Sequence, residues 1–196
     1  MNSNFHANRR MKQSLLKLDF IWYNTIAAEM SNQLEVNGEV LNESANRCMM
    51  EILIGNKAEQ LRKKYISCFV DTNLEYYLNR IKKCIKCSDG MCYTGYLWDC
   101  LKNKFVMPED ECLLYIKNME GIYMFWDIHS KDRIFIPDYW KYPKEAVLKM
   151  NYKEFVENMD NFPEDIYVMD DTFEWSVAFT HETTIQQKRY CLFAYL

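Results

Sequence analysis

DIYVMDDTFEWSVAFTHE, residues 165–182, carries the alternation that decides the fold. In its second half, EWSVAFTHE (174–182), a period of two places Trp175, Val177, Phe179 and His181 on one face. Ser176, Ala178, Thr180 and Glu182 take the other. The first face is apolar as far as His181, which stands at the rim of an expected core. The second is small and polar, suited either to close approach by a helix or to solvent. Two further strand patterns flank this one, DIYVMD (165–170) and RYCLFAYL (189–196), across short turns. Short connections join antiparallel neighbours. The last three strands are therefore expected side by side and antiparallel, with Trp175, Val177 and Phe179 buried together.

Upstream, Asn151 and Glu154 have capping-box spacing and predict a short helix through Phe155, Val156 and Met159. IYMFWDI (122–128) and RIFIP (133–137) read as a hairpin across the polar turn 129–132. Pro108 followed by Glu109, Asp110 and Glu111 predicts a helix start, because proline suits the first turn and acids suit the positive end of the helix dipole. Gly121 ends that helix.

Residues 7–105 follow a helical pattern. Leu15, Leu18, Trp22, Ile26 and Met30 recur at spacings of three to four, and Asn37-Gly38 closes that element. A second helical region carries Cys48, Ile52, Leu53, Leu61, Tyr65 and Cys68, with Gly55-Asn56 as a break point; a third runs from Asp71-Thr72 through Leu74, Tyr77, Leu78 and Ile81. A turn at Ser88-Asp89-Gly90 precedes a short helix with Tyr96, Leu97 and Leu101. The expected class is α+β: a helical N-terminal half (1–105) packed with a C-terminal antiparallel sheet carrying one or two helices (106–196), the whole forming one compact unit.

The chain has 196 residues, long enough to bury a core without crosslinks. Apolar residues make up 49% and charged residues 27%, a globular balance that excludes a disordered chain. Arg9, Arg10 and Lys12 ahead of SLLKLDFIWYNTIAA superficially resemble a secretion leader, but Lys17 and Asp19 interrupt its apolar run. No segment approaches the roughly 18 apolar residues of a membrane span. A cytoplasmic protein with reduced cysteines is expected, and the Asn42-Glu43-Ser44 triplet then carries no sugar. Only five glycines occur, and no Gly-rich phosphate loop or dinucleotide fingerprint is present, so no nucleotide cofactor is expected.

Charge divides with the pattern. Residues 1–105 carry a balance of +4 and residues 106–196 one of −8. Glu157, Asp160, Glu164, Asp165, Asp170, Asp171 and Glu174 form an acidic strip with no base among them. Such a strip serves either as a solvated edge or as a docking surface that steers a basic protein partner. It argues against nucleic acid as a ligand.

Catalytic patterns are sparse. The three histidines are His6, His129 and His181; His181-Glu182 lacks the second histidine of a zinc-protease helix, since position 185 is Ile. No nucleophile elbow occurs. An enzyme would need a deep pocket joining His181, Glu182 and the acids of 165–174. Four of eight cysteines crowd into CIKCSDGMCYTGYLWDC (84–100). Cys84 and Cys87 have zinc-knuckle spacing, and Cys92 with Cys100 would complete four thiolates, although seven residues separate the second pair. Reduced, metal-free thiols are the expectation, with Cys84 and Cys87 at a helix end. A zinc-stabilised binding or regulatory domain and a Cys84–Cys87 redox pair are the alternatives.

Residues 165–182 also resemble the C-terminal signature of a group of poorly characterised small bacterial α+β proteins. In these, a strand ending in aspartate turns into a Trp-bearing strand that closes on Thr-His-Glu. The likeness extends to YKEFVENMDNFP (152–163) and leaves the helical first part unmatched. Immunity proteins, which bind and silence a cognate toxin, are among such proteins. The resemblance implies a non-catalytic inhibitor of a bacterial toxin and supplies no catalytic residues.

Overall fold

The computed structural model describes residues 50–119, 121–134, 141–183 and 189–196, which belong to one compact unit, Cys48–Leu196. The helices expected before Met50 lie outside the described residues. A seven-stranded antiparallel sheet is central. Its strands are β1 (Glu51–Leu53), β4 (Phe105–Pro108), β5 (Ile122–Trp126), β6 (Val147–Met150), β7 (Ile166–Met169), β8 (Trp175–Thr183) and β9 (Arg189–Tyr195), in the order β1-β6-β5-β7-β8-β9-β4. A separate ribbon pairs β2 (Ile85–Cys87) with β3 (Gly90–Cys92).

The last three strands are antiparallel neighbours, as the short turns require, with Val168 opposite Val177 and Val177 opposite Phe193. Trp175, Val177 and Phe179 are buried in one cluster. Side chains of β5, β7, β8 and β9 alternate between two cores. Met124, Val168, Val177 and Phe193 point to one layer; Phe125, Tyr167, Ala178 and Leu192 point to the other. Both faces are therefore covered. Each large apolar side chain so buried contributes roughly 1.5–3 kcal/mol.

Helix α1 (Gly55–Phe69) covers the Phe125 and Tyr167 face with Ala58, Tyr65 and Phe69, and a 3-10 turn at Leu97–Cys100 extends that layer. Helices α2 (Glu109–Ile116) and α3 (Tyr152–Asn158) cover the Met124 and Val177 face with Cys112, Ile116 and Phe155. Both begin as expected. Glu109, Asp110 and Glu111 occupy the first turn of α2, and Asn151 and Glu154 complete a reciprocal capping box on α3. No helix among the described residues is long and apolar enough to cross a membrane.

Several expectations give way. Ile52 and Leu53 lie on β1, because Ile54 is extended and Gly55 takes φ +60, which starts the helix only there. The hairpin of 122–128 with 133–137 does not form as expected. Both edges of β5 are occupied, by β6 and β7, and Arg133 lies in a turn; residues 135–137 are outside the described set. The expected halves meet at Phe105/Val106, which falls inside β4. Residues 50–105 contribute strands β1 to β3 as well as helices, so their part of the chain is mixed. Short apolar runs such as EIL and VLKM have no period to distinguish helix from strand, and pairing decides them.

Candidate functional site

Polar groups concentrate at one end of the sheet, where β5 and β8 finish and β7 begins. Asp127, just past β5, is buried, and its carboxylate accepts from Tyr93 Oη (2.8 Å), Tyr167 Oη (2.7 Å) and the Leu97 amide (3.2 Å). Burial pushes its pKa up to about 6, against the lowering effect of His129 and the two phenols. Arg62 sits on the buried stripe of α1. It donates to the Trp126 carbonyl at 2.7 Å and lies 4.5 Å above the Phe125 ring. Nearby, Tyr65 Oη and Ser176 Oγ share a hydrogen bond of 2.9 Å. These groups tie α1 and the 93–97 segment to the sheet.

His129 Nε2 donates to the Gly95 carbonyl at 2.8 Å, with Tyr93 and Tyr96 edge-on to its ring. Gly95 is required there: a Cβ would stand 2.7 Å from Arg80 Cβ and 2.9 Å from the Tyr76 ring.

His181 closes the same end. Asp165 accepts from both the His181 amide (3.0 Å) and its Nδ1 (2.9 Å), and this hydrogen bond to a carboxylate raises the imidazole pKa. His181 Nε2 stands 3.7 Å from Glu182 Oε1. Its ring meets Tyr96 and Trp98, which belong to the α1 side of the sheet. This departs from the expectation that His181 shares the face of Trp175 and Phe179. The β8–β9 register shifts between Phe179 and Thr183, so the simple alternation no longer holds around His181. Both ring nitrogens thus face carboxylates, and the arrangement works as a clamp between β7 and β8.

The acidic strip is split by β7. Glu164 and Asp165 precede the strand, while Asp170, Asp171 and Glu174 follow it, about 17 Å away at roughly 3.4 Å per residue. Asp165 is buried and ion-paired with His181, contrary to the exposed role expected of it. Asp170 is turned inward too: it accepts from the Trp175 indole (2.8 Å), Thr172 Oγ1 (2.6 Å) and the Thr172 amide (3.1 Å). Glu157 lies on α3, 3.9 Å from Lys153, and Asp160 follows that helix at the surface. Asp171 and Glu174 are exposed.

Beside that turn lies an aromatic surface that the sequence pattern did not reveal. Tyr115 packs on Trp175 and Phe193, and Phe105 on Phe193 and Tyr195, with ring centroids 4.8–6.2 Å apart. Asp170 and Glu174 are close enough to Tyr115 to help raise its pKa, after the larger effect of burial. Phe105, Tyr115 and Tyr195 remain substantially exposed, as does Val106 at 63% on the outermost strand. The signal in the sequence was only the run of large side chains in FVMP and RYCLFAYL.

The cysteine quartet is not assembled. Cys84 Sγ bonds the Ile81 carbonyl, Cys100 is buried in the α1-side core, and Cys87 meets Cys92. Cys84 follows a wide helical turn at Tyr77–Ile81, but Cys87 lies on β2 and not at a helix end, because the tight turn at Ser88-Asp89 folds the segment into a ribbon. Among the described residues, no group of three or more His, Cys, Asp or Glu side chains is placed to hold a metal ion. No protein-family model, curated protein or solved structure matches the chain.

Proposed function

We propose that this protein is a non-catalytic, cytoplasmic protein-binding protein, and specifically an immunity-type inhibitor that neutralises a cognate bacterial toxin. The observation that carries it is the juxtaposition at the β7–β8 turn. Exposed Glu174 stands beside Tyr115, whose exposed ring packs with Trp175 next to exposed Phe105 and Tyr195 at the β4 end of the sheet, and exposed Asp171 belongs to the same turn. Aromatic groups form the desolvated centre of protein interfaces, and a rim of one charge sign selects and steers the partner. The acids call for a basic toxin domain, in keeping with the balance of −8 over residues 106–196. At the opposite end, the bonds of the His181 amide and Nδ1 to Asp165 tie the start of β7 to β8, a structural use of that histidine.

The test is co-purification with a toxin encoded by a neighbouring gene, followed by binding of Asp171→Lys and Glu174→Lys at two salt concentrations. Asp170 is unsuitable for charge reversal, since it holds the Trp175 indole. Slower association for both variants, with the difference shrinking at high salt, is expected. Unchanged binding by folded variants would remove this turn from the interface. Failure to bind or neutralise any such toxin would overturn the immunity reading.

A further inference from the structure

We infer that Cys87 and Cys92 form a thiol-modification site, a dithiol that is oxidised to an internal disulfide by an anionic low-molecular-weight disulfide of the glutathione type. The two side chains lie on one face of the β2–β3 ribbon, since Cys92 is opposite Ile85 and Cys87 is two residues further along. The strong twist of a two-stranded ribbon brings this diagonal together. Their sulfurs are 2.9 Å apart, so a movement of roughly 0.9 Å reaches the ~2.05 Å of a disulfide.

The ribbon is held for this contact. Ser88 donates to Asp132 through its amide (3.0 Å) and its hydroxyl (2.6 Å). Asp89 accepts from Ser130 Oγ (2.7 Å) and the Lys131 amide (2.8 Å) and pairs with Lys144 at 2.8 Å. Gly90 supplies φ +111 to the turn, a conformation that L side chains rarely adopt. The turn between the cysteines is thus fixed from outside the ribbon, and the dithiol is presented rather than left to chance.

Exposure separates the roles. Cys87 is partly exposed and Cys92 is fully buried. Cys87 Sγ, as thiolate, attacks one sulfur of the incoming disulfide; the reagent's S–S bond breaks, one thiolate leaves, and a mixed disulfide forms at Cys87. Cys92 Sγ, deprotonated, then attacks Cys87 Sγ and expels the second thiolate. Two cysteine thiols are oxidised, one disulfide is reduced to two thiols, and the two protons pass to the leaving groups. Exposed Lys82, Lys83 and Lys86 lie within five residues of Cys87 along the chain, a local positive balance that favours an anionic reagent.

The experiment incubates the full chain in glutathione buffers of increasing oxidised fraction, quenches with acid, alkylates and maps tryptic peptides. The peptide from Cys87 to Lys102 contains Cys87, Cys92 and Cys100. It should pass from three alkyl groups to one, on Cys100, with the loss of two hydrogens. Cys92→Ser should halt with one glutathione on Cys87, and Cys87→Ser should leave Cys92 and Cys100 both alkylated. Cystamine, a cationic disulfide, should react more slowly than glutathione disulfide at low salt. Retention of three alkyl groups at every ratio, or a bond from Cys84 or Cys100 instead, would overturn the site. Equal rates for the two reagents would overturn the class of oxidant. The wild-type map decides the site even where a variant fails to fold.

Discussion

Asp127 is where burial and hydrogen bonding oppose each other most directly. Three donors reach its carboxylate, yet desolvation dominates and its pKa rises from 3.8 to about 6. The folded state therefore binds this proton more tightly than the unfolded chain. The stabilisation is complete below the unfolded pKa and is lost as pH rises through about 6. At about 1.4 kcal/mol per pKa unit the loss is on the order of 3 kcal/mol. His181, also raised, contributes in the same sense: its pairing with Asp165 is strongest below 6.5 and fades as pH rises through its folded pKa. Denaturant unfolding at a series of pH values checks this. Asp127→Asn should flatten the decline between pH 4 and 7 that wild type shows, and an unchanged profile would place the titration elsewhere. Neither Asp127 nor Arg62 stood out in the sequence, because one follows an apolar strand and the other interrupts a helical stripe. Their roles come from partners up to 84 residues distant.

Helix α3 is the element most legible in advance. Its seven residues are too few to be stable alone, so its start depends on local capping and its persistence on burial of Phe155. Asn151 accepts from the Glu154 amide at 2.9 Å, and Glu154 accepts from the Asn151 amide at 3.0 Å. Asn151→Ala should cost about 1 kcal/mol in denaturant unfolding, and Asn151→Ser should recover most of it. Equal losses for both would show that the box contributes little. Strand β8 was equally plain over 175–179, where the period of two matches both cores. Beyond Phe179 the pairing slips and the pattern no longer says which way His181 turns. Strands β1 and β6 and the β2–β3 ribbon carry no such signal. Three or four residues are too short to show a period, and their conformation is chosen by the strand beside them.

Across the whole molecule, protection should follow position in the sheet. β7 and β8 have strands on both sides and a covered core on both faces, whereas the β2–β3 ribbon stands apart with Lys86 and Met91 exposed. Amide exchange of the reduced protein should be slowest at Tyr167, Val168, Val177 and Ala178, and faster by orders of magnitude at Lys86 and Met91. Equal protection in the ribbon would contradict this layering. The sequence by itself determined the α+β class, the antiparallel β7-β8-β9 run, the starts of α2 and α3 and the acidic character of the second half. Each of these rests on residues within a few positions of one another, through side-chain period, turn chemistry or charge. Only the tertiary structure decided that the acidic strip divides between two ends of β7, that Asp165 and Asp170 turn inward, that Cys87 meets Cys92 rather than Cys84, and that rings from β4, α2 and β9 share one face. Those outcomes depend on strand order and register, which bring distant residues together and which no local pattern encodes.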